Sequence, residues 1–600
     1  MEGQKTKKWY ALLGVIAVFA AGMALTPISG GDTDSVFADW IRSEYGPFLQ
    51  ELPPVPYERV LGFKPTKEQV ELGRLLFNDT ILSRNNDVSC ATCHLTNHGF
   101  TNSMPLPFGA LGQGGPTGDT VGRAFGLGEL SDKRNCGDDG MGYLCDRPFF
   151  RNTPSTIDVA YRANSRTDEG LLLDGRFGRL AFQVLLPIGT AEELCGTNPV
   201  PSNKEENPFL KGGPFFSQGI LVNHTHVTDP YTGATLPFFN SPPEVIHGIP
   251  LRRNDGRLSI PNFNECLAIA LAKLNGVPEY RRLFRQAFQA DEITDRVLGM
   301  AMAAFIATHV SKDTAFDRFV RGENSLSAGQ MRGLVSFLSQ PNEIVEIGLD
   351  NRVVGVGCVN CHSPPFFGGA GFGSLGVISD PRSIRSRPQV LFEQRSVSLD
   401  FPNQRGRIPR CHIAGVTARA DGSYAPDIGR AEVTSREEDC FQFRIPPLRN
   451  VIERFPFFHH GTERALGYNL NSLEERSLQA LRNVILYHLR GPQYIRLKNR
   501  LDVENKYFDK FFQYDEFIDP HRVDFFGTEG PLERSSVLIE EALLEDILSF
   551  VAYGLWDEKA VKRGDLNNRV SHPKKVPSGF HPSITRDHGT QLELPPAFRQ

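Results

Sequence analysis

This chain has no large excess of positive or negative charge, and it contains little tryptophan and methionine. Among its 600 residues, 65 Lys and Arg stand against 70 Asp and Glu, the net charge is −5, and there are only three Trp and seven Met. The lack of a basic excess excludes a protein that binds nucleic acid through a polybasic surface. Since 40% hydrophobic and 22% charged residues are ordinary for a globular chain, the length predicts roughly 2–4 domains.

Long apolar runs are also rare, and the only one of membrane-like length covers residues 9–25. Lys5, Lys7 and Lys8 precede it. A basic segment followed by an apolar run at the N-terminus is typical of a signal peptide or an uncleaved membrane anchor. We therefore expect residues 1–30 to direct export. The rest of the chain is then periplasmic, either soluble after cleavage or anchored to the inner membrane by residues 9–25.

Two short motifs predict the cofactors. They are Cys90-Ala-Thr-Cys93-His94 and Cys358-Val-Asn-Cys361-His362. C-x-x-C-H is the attachment sequence of c-type haem: one turn of helix presents both thiols to the porphyrin vinyl groups, and the next residue binds the iron. A zinc site is the alternative, but it does not explain why His directly follows both Cys pairs. The sequence predicts two covalent haem c groups.

The remaining cysteines of the ten fit an exported, oxidised protein. We expect neighbouring cysteines to pair, and the alternative is buried free thiols. The predicted disulfides are Cys136–Cys145, Cys195–Cys266 and Cys411–Cys440.

The pattern of apolar residues predicts a mostly α-helical protein with two cytochrome c-like haem domains. Helical periodicity surrounds each haem motif, whereas three Gly- and Pro-rich segments near 103–147, 196–260 and 365–440 have little periodicity and are expected to be long loop insertions. The predicted domains are 31–310, which holds the first haem, and 311–560, which holds the second. Residues 561–600 form a C-terminal extension.

Several segments around the motifs resemble the bacterial di-haem cytochrome c peroxidases. They are Leu72-Gly-Arg-Leu-Leu-Phe77, Arg151-Asn-Thr-Pro154, Asp174-Gly-Arg176, Phe443-Arg-Ile-Pro-Pro-Leu-Arg-Asn450 and Phe457-Phe-His-His-Gly461. The same superfamily contains the methylamine dehydrogenase maturation enzyme and the di-haem rubber oxygenases. The resemblance implies an oxidoreductase whose second haem relays electrons to a reactive first haem. It also implies a donor protein, either a small cytochrome or a cupredoxin, and peroxide or O₂ as the oxidant.

The resemblance makes His94 and His362 the proximal iron ligands. At the sixth ligand, this chain differs from the family. The peroxidases use a Met on the second haem, but this chain has no Met after Met331. The matching position holds His488, and Tyr487 is the alternative.

On the first haem, the resemblance is taken to place a distal Glu and Gln where this chain has Ala181 and Leu171. Neither residue can carry the proton that peroxide cleavage requires. Three hypotheses therefore stay open: a peroxidase with another base, an O₂-dependent oxygenase with an apolar distal pocket, and a non-enzymatic electron-transfer subunit.

A calcium ion between the haem domains is also implied. The family holds it with an Asn and two backbone carbonyls, and the matching positions are Asn152, Ile445 and Pro447.

Overall fold

The computed structural model describes residues 30–101, 151–194, 263–375, 429–490 and 540–580, with short gaps inside these ranges, and four short strands between residues 226 and 250. Within this part of the chain the protein is mostly helical, as predicted. The helices are α1 (Gly30–Glu44), α2 (Tyr57–Leu61), α3 (Lys67–Asn78), α4 (Cys90–Cys93), α5 (Val159–Arg162), α6 (Leu180–Gln183), α7 (Leu186–Gly189), α8 (Phe263–Gly276), α9 (Pro278–Phe288), α10 (Asp295–Ile306), α11 (Ala315–Val320), α12 (Ala328–Leu338), α13 (Leu473–Arg490), α14 (Glu541–Ser549) and α15 (Glu558–Val561).

Strands are few and short in the described ranges, and they form antiparallel pairs. The pairs are β1 (His226–Thr228) with β2 (Thr235–Pro237), β3 (Val245–Ile246) with β4 (Ile249–Pro250), β5 (Ile344–Ile347) with β6 (Asn351–Val354), and β7 (Phe372–Gly373) with β8 (Phe443–Arg444).

The helix ahead of each haem motif begins at a capping box. Thr66 accepts from the backbone N–H of Gln69, and the Gln69 side chain accepts from the N–H of Thr66, which starts α3. Ser327 and Gln330 do the same at the start of α12. Each pair satisfies two N–H groups that a helix start would otherwise leave unbonded.

Both of these helices cross a second helix through a glycine. A Cβ atom added at Gly73 in α3 would lie 2.1 Å from the carbonyl oxygen of Ala301 in α10, and one at Gly333 in α12 would lie 2.2 Å from that of Asp546 in α14. Only a residue without a side chain permits this approach. The crossings place α3 and α12 against the apolar cores that carry the haem motifs.

The chain divides into two compact units, Met1–Gly46 and Pro47–Gln600, and both haem motifs lie in the second. The division of that unit into haem domains 31–310 and 311–560 stays a prediction. In the first unit, Phe37 and Trp40 of α1 stack with ring centroids 6.0 Å apart.

Several predictions fall on residues outside the described ranges. These are the N-terminal segment 9–25, most of the three insertions, and five of the six cysteines predicted to form disulfides. Cys266 is disulfide-bonded, and its pairing with Cys195 stays a prediction. Among the helices that the structure describes, none combines the length and apolar character needed to cross a bilayer.

Candidate haem sites

The first motif presents its ligands as a c-type haem requires. Cys90 and Cys93 lie at the two ends of α4, and both are free thiols. The Nδ1 of His94 donates to the carbonyl of Phe100 across 2.9 Å, which leaves Nε2 for iron. Burial lowers the pKa of His94, although the carbonyls of Phe100 and Pro154 oppose this effect. The imidazole is therefore neutral, as a metal ligand must be.

The second motif repeats this arrangement on a 3₁₀ turn, Cys358–Asn360. Cys358 and Cys361 are free thiols, and the Nδ1 of His362 donates to the carbonyl of Phe367 across 3.1 Å. Burial raises the pKa of Cys358 to about 12, as does the neighbouring Cys361. In the described ranges, no three His, Cys, Asp or Glu side chains are grouped to hold a metal ion.

Helix α13 carries His488 near the second motif. Burial lowers the pKa of His362 to about 4, and the charge of His488 is the next cause. The Nδ1 of His488 donates to the carbonyl of Val484 across 2.8 Å, which leaves Nε2 as the ring nitrogen for a metal. The Tyr487 hydroxyl instead donates to the carbonyl of Leu375. This geometry favours His488 over Tyr487 as the sixth ligand.

Ala181 and Leu171 are 1% and 2% exposed, and both belong to the apolar core around the first haem motif. The carbonyl oxygen of Ala181 lies 2.2 Å from the place that a Cβ atom would take at Gly299. Their match to the positions of the family's distal Glu and Gln stays a prediction.

A carboxylate that sequence reasoning missed lies beside the first haem motif. Burial raises the pKa of the Cys90 thiol to about 12, and the next largest cause is the negative charge of Glu193. Glu193 is only half-buried, as is Gln183 at the end of α6. The resemblance pointed only to positions 171 and 181, and no motif in the sequence links Glu193 to Cys90.

A second missed residue is His309, between α10 and α11. Its ring stacks on Phe100 with centroids 3.8 Å apart, and its Nδ1 lies 2.7 Å from the Thr156 hydroxyl. Burial, and secondarily the charge of His94, lowers its pKa to about 3. The neutral imidazole of His309 therefore packs against Phe100, whose carbonyl accepts the hydrogen bond from His94.

The three residues expected to bind calcium lie at the junction of the haem domains. Asn152 is buried, and its Nδ2 donates to the carbonyl of Pro456 across 2.7 Å. Its Oδ1 accepts from the N–H of Thr153 at 2.8 Å. The carbonyl of Pro447 accepts from Arg454 at 2.7 Å. Ile445 donates its N–H to Gly371. The Asn152 amide and the Pro447 carbonyl are thus hydrogen-bonded to protein groups.

Comparison with known proteins identifies the class of this fold and site. A family of di-haem cytochrome c peroxidases matches residues 67–207 and 256–325. The cytochrome c551 peroxidase of Pseudomonas aeruginosa is 22% identical over 415 residues, which are 68% of this chain and 72% of that protein. The cytochrome c551 peroxidase of Nitrosomonas europaea is 26% identical over 32% of this chain and 41% of its own length.

Methylamine utilization protein MauG of Methylophilus methylotrophus is 24% identical over 56% of this chain and 68% of its own length. Among solved structures, a MauG-like protein associated with microbial copper homeostasis aligns over 88% of this chain and 98% of its own, with 18% identity and a TM-score of 0.47. The predicted resemblance to the di-haem cytochrome c peroxidases and MauG proteins is confirmed. The relatives are named as enzymes, in agreement with a peroxidase-like di-haem oxidoreductase.

Proposed function

We propose that this protein is an exported di-haem peroxidase, in which the second haem relays electrons from a donor protein to a reactive first haem. The observation that carries the proposal is the pair of haem motifs, in each of which a backbone carbonyl holds the Nδ1 of the histidine, Phe100 for His94 and Phe367 for His362. Glu193, whose negative charge helps to raise the pKa of the Cys90 thiol, is our candidate for the proton carrier that the sequence alone had not provided.

Each haem, when bound, supplies an iron that exchanges single electrons. His94 and His362 would hold the two irons, and the carbonyls of Phe100 and Phe367 fix the orientation of their imidazoles. His488 would be a second protein ligand of the second haem, which would favour electron relay there. The Glu193 carboxylate would take up and return the proton that peroxide cleavage at the first haem requires.

The partners follow from this division of roles. A small cytochrome or a cupredoxin delivers electrons to the second haem, and hydrogen peroxide reaches the first. Residues 9–25 direct the chain to the periplasm, where c-type haem is attached and where the disulfides form.

Stopped-flow absorption of the holo-protein with hydrogen peroxide tests the proposal, starting from the oxidised and the half-reduced states. We expect a rapid change of the haem spectrum in at least one state, followed by oxidation of the donor. In Glu193→Gln, the amide keeps the shape but cannot accept the proton, so the fast phase slows about 10²–10⁴-fold. Glu343→Gln, at an exposed acid, is the matched control and retains the wild-type rate.

An unchanged spectrum in both starting states would overturn the peroxidase proposal. The reduced protein would then be exposed to oxygen. Oxygen-dependent spectral changes would point to the oxygenase alternative, and inertness would point to an electron-transfer subunit.

A further inference from the structure

A half-buried arginine lies where the resemblance implies a metal ion between the haem domains. Arg454 donates through Nη1 to the carbonyl of Pro447 and through Nη2 to the carbonyl of Arg449, each across 2.7 Å. The Pro447 carbonyl is one of the oxygens that a calcium ion would use. It already accepts a hydrogen bond from a positively charged side chain of the protein.

The Asn152 side chain is committed in the same way. Its amide nitrogen spans the junction to the Pro456 carbonyl, and its backbone N–H donates to the carbonyl of His459 across 2.7 Å. The Oδ1 atom accepts from the N–H of Thr153. The assignment of oxygen and nitrogen is unambiguous, because one partner can only donate and the other can only accept. Asn152 therefore joins the domains by direct hydrogen bonds.

The local charge also disfavours a divalent cation. The Asp158 carboxylate already has three arginines acting on it electrostatically, Arg449, Arg454 and Arg162, and its Oδ1 accepts from the N–H of Ser311. Arg449 is itself committed to Asp317, with Nη2 to Oδ1 at 2.6 Å and Nη1 to Oδ2 at 2.8 Å. A calcium ion prefers six to eight oxygen ligands that include carboxylates. At this junction it would meet guanidinium groups in a medium that screens charge poorly.

We infer that the guanidinium of Arg454 takes the place of an interdomain calcium ion, so that the haem domains are held together without metal. The inference does not depend on the proposed function, because it concerns the junction and not the chemistry at the haems.

The experiment uses the full-length protein with both haems attached. After dialysis against EGTA, calcium is measured by plasma mass spectrometry, and the melting midpoint is recorded with and without millimolar calcium. We expect a calcium content far below stoichiometric and a midpoint that moves by less than about 1 °C in either direction, since a ligand that does not bind cannot stabilise the fold. Stoichiometric calcium in the protein as purified, or a midpoint that falls with EGTA and recovers with calcium, would overturn the inference.

Variants of Arg454 test the role of the guanidinium itself. Arg454→Gln removes the charge beside Asp158 and should lower the midpoint by about 5 °C or more, without recovery in calcium. Arg454→Lys keeps the charge and should restore part of the loss. Arg436→Gln makes the same change at an exposed arginine paired with Glu438 and should shift the midpoint little. If Arg454→Gln were as stable as Arg436→Gln, the guanidinium would not hold the junction. If Arg454→Gln fails to fold, the calcium content and EGTA response of the unaltered protein still decide.

Discussion

The two haem domains use the same proximal construction. In each, a helix with a glycine crossing carries a phenylalanine four residues later, Phe77 or Phe337, which packs against a second phenylalanine, Phe100 or Phe367, with ring centroids 6.1 and 5.6 Å apart. That second residue has a positive φ, 57° for Phe100 and 50° for Phe367. The backbone thereby turns its carbonyl to the Nδ1 of the proximal histidine. An uncommon backbone conformation is stabilised twice for the same purpose.

The domains differ in what surrounds this shared unit. Phe100 stacks on the imidazole of His309, whereas Phe367 meets the ring edge of Phe316, with centroids 4.8 Å apart, and the guanidinium of Arg449 at 5.9 Å. At the second site His488 acts on His362, and at the first site the negative charge of Glu193 acts on the Cys90 thiol. One construction thus fixes the histidine of both motifs, and the residues around it distinguish the two sites.

The largest effect is expected from removing the second imidazole. His488→Ala should convert the second haem from a six-coordinate to a five-coordinate spectrum and raise its potential on the order of 100 mV, because the imidazole stabilises the oxidised iron. A one-electron shift of that size lowers the equilibrium for passing an electron to the first haem roughly fifty-fold. Redox titration followed by optical absorption measures it.

Tyr487→Phe is the matched control, since it removes only the hydroxyl bonded to Leu375. Its spectrum and potential should match those of the unaltered protein. If the tyrosine variant changed the coordination and the histidine variant did not, the ligand would be Tyr487, and the comparison between an imidazole-closed site and an acid-equipped site would fail.

The shared construction itself is tested by the two glycines. Gly73→Ala and Gly333→Ala each place a methyl group about 2 Å from a backbone carbonyl that cannot easily move, so each should lower the free energy of unfolding by about 3 kcal/mol. Denaturant unfolding of the holo-protein measures the loss. Gly276→Ala is the control, because nothing lies within 4 Å of a Cβ there. A large loss at one crossing and none at the other would mean that the domains are not built alike.

The proximal half of each site could be predicted because it is local in sequence. Both cysteines and the histidine of a haem motif fall within five consecutive residues, and a capping box such as Thr66 to Gln69 marks the helix that precedes them. The mostly helical class followed from the same periodicity. His488 was reachable only through the resemblance, since its place opposite His362 depends on how α13 packs.

The other groups could not be predicted because their roles arise from tertiary contacts. Glu193 is far from Cys90 in sequence, and no local pattern distinguishes it from a surface acid. His309 ends an apolar helical stretch, where a histidine could equally be an ordinary core residue. Arg454 acts on carbonyls of Pro447 and Arg449, and a carbonyl has no side-chain identity that a sequence could reveal. The predicted calcium site depended only on matching positions in the sequence, and these do not reveal that Arg454 lies beside Pro447.

The smallest of the three effects concerns His309, the imidazole that stacks on Phe100 in the first haem domain. The pKa of His309 is about 3 in the folded protein and about 6.5 when unfolded. Between these values the unfolded chain binds more protons than the folded one, so stability falls as the pH drops below about 6.5. From pH 7 to pH 5 the loss of unfolding free energy from this residue amounts to about 2 kcal/mol.

His309→Phe keeps a ring on Phe100 without the titration. Urea unfolding at the two pH values should then show a difference in unfolding free energy that is smaller by that amount. Phe316→Leu is the control: it weakens packing in the second domain equally at both pH values and leaves the pH difference unchanged. If His309→Phe kept the full acid sensitivity, the neutral imidazole would not distinguish the first haem domain from the second.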